Sequence, residues 1–175
     1  MRHTLGALVE NHFGVLARVA GLFSRRGFNI ESLTVGPTDD ASMSRMTIVV
    51  DGDERMRDQM VSQMSKLIDV LEVQALDPQT AVSREIALVK VRATPERRSE
   101  VMQIADVFRG QIVDVGKESL MVEITGDDAK VNALLEVLAD YGIIEIARTG
   151  VVTLTRGPVA LSVPNHTDPA QDPPA

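Results

Sequence analysis

The stretch HTLGALVENHFGVLARVAGLFSRRGFNIESLTVG, residues 3–36, decides the fold. His3 to Val9 is a short, largely apolar run and reads as a strand. Leu16, Val19, Ala20 and Phe23 then recur at helical spacing, with Arg18, Arg25 and Arg26 off that face. Gly27 follows the basic last turn, where glycine commonly closes a helix. Phe28 to Gly36 returns to strand character. Pro37-Thr38-Asp39-Asp40 then supplies turn chemistry and Arg45 to Val50 a hairpin partner. Asp53 is placed to cap a second helix whose apolar side is Met56, Met60, Met64 and Leu67. Val70 to Leu76 closes the unit, and Asp77-Pro78-Gln79 opens a linker.

The second half repeats this order. Glu85 to Arg92 is a strand in which Ile86, Leu88 and Lys90 alternate with Ala87, Val89 and Val91. Thr94-Pro95 reads as a helix start, with the hydroxyl as cap and proline at the first helical position. Val101, Ile104, Ala105 and Phe108 form the stripe of that helix. Gln111–Val115 and Ser119–Thr125 make a hairpin around Gly116-Lys117. Asp127 or Asp128 caps a helix facing inward through Val131, Leu134, Leu135 and Leu138, Gly142 ends it, and Ile143 to Leu154 is the last strand. The fold class is therefore α+β: two tandem ferredoxin-like βαββαβ sandwiches. The expected domains are 1–77 and 84–157, with 78–83 as linker and 158–175 as a disordered, proline-rich tail.

Composition bounds the function classes. The chain has 175 residues, 44% of them hydrophobic and 25% charged, which suits a globular protein. No apolar run is long enough to cross a membrane. No basic-then-apolar leader precedes the first strand, so a cytoplasmic location is expected and the Asn165-His166-Thr167 glycosylation triplet carries no weight. With no cysteine, disulfides, thiolate metal sites and a Cys nucleophile are all excluded. Ferredoxin-like sandwiches also bind RNA by stacking bases on aromatic side chains of the sheet. This chain has one Tyr, four Phe and no Trp, and its net charge of −7 repels nucleic acid.

Catalytic patterns fail one by one. Gly116-Lys117-Glu118 lacks the Ser or Thr and the glycine spacing of a phosphate loop. His3, His12 and His166 have no helical i,i+4 partner, and no metal centre is expected. No Gly-x-Ser-x-Gly elbow or acid/base carboxylate pair occurs.

One turn remains, Glu10-Asn11-His12-Phe13-Gly14-Val15, between the first strand and first helix. A helix N-terminus offers N–H groups and a positive dipole end to a carboxylate. Gly14 admits close approach, and Asn11 either caps the helix or accepts from an ammonium. Asn29, just beyond Gly27, offers another amide. A free amino acid carries both complementary groups. The plainer reading stands beside it: Asn11 as a cap, Gly14 easing the turn, Asn29 ending a loop.

The residues from Asn11 to Leu16 resemble the effector loop of ACT domains, whose commoner form has Asp first and Pro before the Gly. Arg26-Gly27-Phe28-Asn29-Ile30-Glu31-Ser32-Leu33-Thr34-Val35, followed by Ser44-Arg45-Met46-Thr47-Ile48, is more specific. So are Phe108-Arg109-Gly110-Gln111-Ile112-Val113-Asp114-Val115 and Ala147-Arg148-Thr149-Gly150-Val151. Together these runs are similar to the regulatory small subunits of acetohydroxyacid synthase (acetolactate synthase), over roughly residues 1–157. The resemblance implies that the first sandwich is an ACT domain. It implies a non-catalytic subunit that activates the catalytic large subunit and confers feedback inhibition by valine, in a homodimer formed through ACT domains. It further implies an effector site made of Asn11, Gly14 and Asn29, with backbone around Phe13 and Val15 taking the carboxylate. His12 lies within the same loop, and Leu16 and Ile30 would border the side-chain pocket. No cofactor is expected in this chain, since thiamine diphosphate, FAD and Mg²⁺ belong to the catalytic partner. The other reading of such a loop is an amino-acid sensor serving a different enzyme or regulator. The second domain's first turn, Ala93-Thr94-Pro95-Glu96, lacks the Asn-x-x-Gly arrangement, so no ligand is expected there.

Overall fold

The computed structural model describes residues 1–162. The elements run β1 (Arg2–Glu10), α1 (Val15–Arg25), β2 (Ile30–Pro37), β3 (Met43–Asp51), α2 (Glu54–Met64), β4 (Val70–Leu76), then β5 (Ala81–Arg92), α3 (Arg98–Val107), β6 (Gln111–Val115), β7 (Ser119–Gly126), α4 (Asp128–Ala139), β8 (Ile143–Arg148) and β9 (Val152–Thr155). The described residues divide into two compact units: 1–82 together with 153–162, and 83–152. Both repeat β-α-β-β-α-β, and both sheets have the split order of a ferredoxin-like sandwich, β2-β3-β1-β4 and β6-β7-β5-β8, with β9 also pairing β5.

In the first unit Leu5, Ala7 and Val9 of β1 and Met46, Ile48 and Val50 of β3 point to the helices, as strand alternation requires. α1 meets them with Val15, Val19, Leu22 and Phe23. This corrects the sequence phase: the stripe begins at Val15, while Leu16 is 47% exposed. The helix starts directly after Gly14, so positions i, i+4, i+7 and i+8 counted from Val15 face the core. α2 behaves as its sequence indicates. The Asp53 side chain accepts from Met56 N–H at 2.7 Å, Met60 and Met64 are buried, and Met56 and Leu67 pack beside them. Burying each such large apolar side chain stabilises the unit by about 1.5–3 kcal/mol.

The second unit's core pairs Ala87, Val89 and Val91 of β5 and Leu120, Val122 and Ile124 of β7 with Val101, Ala105, Val131, Leu134 and Leu138 of the helices. Three sequence boundaries change here. α3 does not start at Thr94-Pro95: the Thr94 carbonyl accepts from both Arg97 and Arg98 N–H groups, which makes a separate turn, and the helix begins at Arg98. The single strand expected over 143–154 is two strands, because Gly150 takes φ 79° between β8 and β9. The 78–83 linker is strand from Ala81 onward. Of the expected tail, 158–162 has no helix or strand. The disorder expected from Val163 on, and the glycosylation triplet, lie outside the described residues.

Candidate functional site

β1 ends at Glu10 and the chain enters α1 through Asn11–Gly14. Gly14 holds the N-cap position at φ 90° and ψ −12°, a left-handed conformation that costs glycine little. No side chain caps α1, so its first N–H groups are left to solvent or a ligand. A Cβ placed on Gly14 would meet nothing within 4 Å. The space beside Gly14 is open.

Asn11 is not the cap. Its Nδ2 donates to the Ala41 carbonyl at 2.9 Å, and its backbone N–H donates to the Ser42 carbonyl at 2.7 Å. Both bonds fasten it to the β2–β3 turn, and Oδ1 has no partner among the described residues. Beside it opens a cleft of about 440 Å³, lined by Glu10, Asn11, His12, Asp40, Ser42, Met43 and Leu71. Phe13 is 100% exposed, which is unusual for a large aromatic. Val15 sends its side chain into the core and offers the turn only its backbone, whereas Leu16 stands outside.

Asn29 and Ile30 are placed by the end of α1. Gly27, at φ 70°, reverses the chain. Phe28 N–H then bonds the Phe23 carbonyl at 3.0 Å, and the two rings meet edge to face at 6.2 Å. Asn29 is exposed and Ile30 packs on the core edge. Strand register fixes where this lies. Ile30 pairs with Val50, and Val50 pairs with His3, whereas Glu10 pairs with Met43 at the other end of the sheet. The run of β1 from His3 to Glu10 therefore separates the loop from Asn29, roughly 20 Å at about 3.3 Å per residue. One chain brings Asn11 to Leu16 together and does not bring Asn29 or Ile30 to them.

Sequence reasoning missed the charged cluster beneath the loop. His12 Nε2 lies 2.9 Å from Glu10 Oε2 and 3.1 Å from Asp69 Oδ1. Arg18 Nη1 contacts both Asp69 oxygens at 2.7 and 2.6 Å. Asp69, just ahead of β4, is buried. The available signal was a lone acid inside the apolar run Leu67-Ile68-Asp69-Val70-Leu71. Glu10, His12 and Asp69 could geometrically converge on a cation, but the Arg18 guanidinium already occupies both Asp69 oxygens.

A tandem pair of ferredoxin-like sandwiches, the first with an open, uncapped β1–α1 turn, places the chain among the ACT-domain proteins. Residues 5–72 match the family model described as the AHAS small subunit-like ACT domain, and residues 84–157 match that of the small subunit of acetolactate synthase. The chain is 54% identical over 156 residues to the acetolactate synthase small subunit of Mycobacterium leprae, covering 89% of this chain and 92% of that one. It is 51% identical to the probable acetolactate synthase small subunit of Archaeoglobus fulgidus, covering 90% and 98%. The crystal structure of the acetolactate synthase small subunit from Thermotoga maritima superposes with a TM-score of 0.84 at 43% identity, covering 91% and 99%. The chain belongs to the acetolactate synthase small-subunit family, the regulatory subunits of that enzyme. No helix among the described residues is long and apolar enough to cross a membrane.

Proposed function

We propose that this chain activates the catalytic large subunit of acetohydroxyacid synthase and confers feedback inhibition by valine, without catalysing a reaction itself. The observation that carries the reading is the divided site. The uncapped helix start with Asn11 and Gly14 lies at one end of the first sheet, and Asn29 with Ile30 at the other. Two ACT domains side by side in a homodimer would bring one chain's loop to its partner's Asn29. Backbone N–H groups around Phe13 and Val15 would then take the effector carboxylate, and the Asn11 and Asn29 amides its ammonium. Leu16 and Ile30 border the side chain. Thiamine diphosphate, FAD and Mg²⁺ reside in the large subunit.

An effector bound between two chains shifts a pre-existing equilibrium at the large-subunit contact, by no more than its differential affinity for the two states, typically ~1–3 kcal/mol. Leucine and isoleucine differ from valine by one methylene, worth ~1–3 kcal/mol, and should act weakly. The test is pyruvate condensation by the large subunit, with and without this chain, across a valine titration. Activity should rise with the chain, and inhibition should require it. An unchanged rate on adding the chain, or equal valine sensitivity without it, would overturn the reading.

A further inference from the structure

We propose that His12 is a positioning residue of the effector loop, acting as an imidazolium that latches the loop to β1 and to the start of β4. The inference rests on the effector reading above and adds the group that holds the loop in its binding shape. Its carrier is the pattern of atoms around the ring. Nε2 faces the Glu10 carboxylate at 2.9 Å and the Asp69 carboxylate at 3.1 Å. Nδ1 faces the Phe13 carbonyl at 3.0 Å. Every one of these neighbours is an acceptor. A neutral imidazole has one N–H and so must leave its other nitrogen, a lone pair, against an oxygen; the imidazolium donates from both.

The bond to Phe13 has a geometric consequence. The chain holds no cis peptide among its described residues, so the Gly14 N–H points opposite to the Phe13 carbonyl across a planar unit. Nδ1–H drawing that carbonyl toward the ring turns the Gly14 N–H away from the ring and fixes its orientation within the loop. The Asn11 bonds to Ala41 and Ser42 hold the other flank of the loop. Protonated His12 therefore holds one orientation of a backbone donor in the loop assigned to the effector carboxylate.

Charged groups face the ring from several elements: Glu10 of β1, Asp69 before β4, Arg18 of α1 on the far side of Asp69, and Asp40 of the β2–β3 turn across the cleft. The Phe13 carbonyl foremost, then the Glu10 side chain and the Asp69 charge, raise the His12 pKa above its ordinary value, against an opposing effect of desolvation. With the folded value raised, the latch is fully formed below the ordinary histidine range. It is lost as pH rises through the raised value.

Two measurements on the full chain test this. Ring resonances of His12, assigned by their loss in His12→Gln, should titrate above 6.5 and fall toward it in Glu10→Gln and Asp69→Asn; a midpoint at or below 6.5 in the unaltered chain overturns the latch. Valine calorimetry from pH 6 to pH 8.5 should show the dissociation constant rising about fivefold or more. His12→Gln stays neutral and keeps only the dependence due to valine's own ammonium, so its profile should be clearly flatter. Equal slopes in both proteins overturn the coupling. Absence of valine binding at every pH would overturn the effector reading instead, while the ring titration would still decide the latch.

Discussion

The two units share one topology and differ at one corner. In the first, the turn from β1 into α1 is open: Gly14 is the cap, no side chain satisfies the helix end, and Phe13 stands in solvent. In the second, no side chain caps α3 either, but the turn from β5 into it is tied down by its own backbone and side-chain contacts. The Thr94 carbonyl accepts two backbone N–H groups. The Arg98 guanidinium donates to the Gly116 and Lys117 carbonyls at 2.8 and 2.9 Å, and the Arg97 guanidinium lies 4.1 Å from the Tyr141 ring centroid. The Glu96 carboxylate folds onto its own N–H and the Thr94 hydroxyl, which hold its pKa below the usual range. A ligand's carboxylate would find the second corner already supplied with one. One fold is shared by both units, and the chemistry of one turn sets them apart.

The largest expected effect comes from closing the open corner. Gly14→Asp puts a carboxylate on the cap where the effector's own is assigned. Nothing lies within 4 Å of the new Cβ, and Asp tolerates the left-handed conformation at a cost of roughly 1 kcal/mol, so the chain should fold and still activate the large subunit. Valine affinity should drop at least 100-fold, about 2.7 kcal/mol. Calorimetry showing unchanged binding would remove the loop from the site. The matched change in the second unit, Glu96→Gln, should shift valine affinity less than twofold. A larger shift would mean that the closed corner also contributes.

A smaller effect sharpens the likeness of the units where they agree. α2 and α4 begin alike: Asp53 accepts from Met56 N–H at 2.7 Å and Asp127 from Lys130 N–H at 2.9 Å. Asp53→Ala and Asp127→Ala should each cost about 1 kcal/mol, read from urea midpoints. A clearly unequal pair would show that tertiary packing, rather than the cap, holds one of these helix ends.

These caps were legible in the sequence because they are local: an Asp just ahead of an apolar 3.6-residue stripe has few other uses. The strand and helix order was legible for the same reason, through periodicity that each element carries alone. The phase of α1 was not, because Val15-Leu16 and Val19-Ala20 offer two overlapping apolar stripes, and packing against Leu5, Ala7 and Val9 chooses between them. Nor was the role of Asn11, whose partners Ala41 and Ser42 are distant in sequence and are backbone carbonyls, which every residue carries. The cluster of His12 with Asp69 and Arg18 was hidden by the same sequence separation. The proposal that the loop binds an amino acid rests on family resemblance, since its residue types alone fitted a plain helix start as well.

The smallest predicted effect on the fold tests whether the open corner is shaped for a partner or for the chain itself. Phe13 is fully exposed, while Phe23, ten residues on, is 1% exposed in the core. Phe23→Ala empties a packed site and should cost about 3–5 kcal/mol. Phe13→Ser touches nothing inside the monomer, so its urea midpoint, read at a concentration too low for dimers, should move by less than about 0.5 kcal/mol. If the second chain completes the site, the same variant should weaken self-association or valine binding while leaving that midpoint in place. A midpoint that falls with Phe13→Ser would instead show that the ring packs within its own unit in solution, and the corner would then be less open than its geometry indicates.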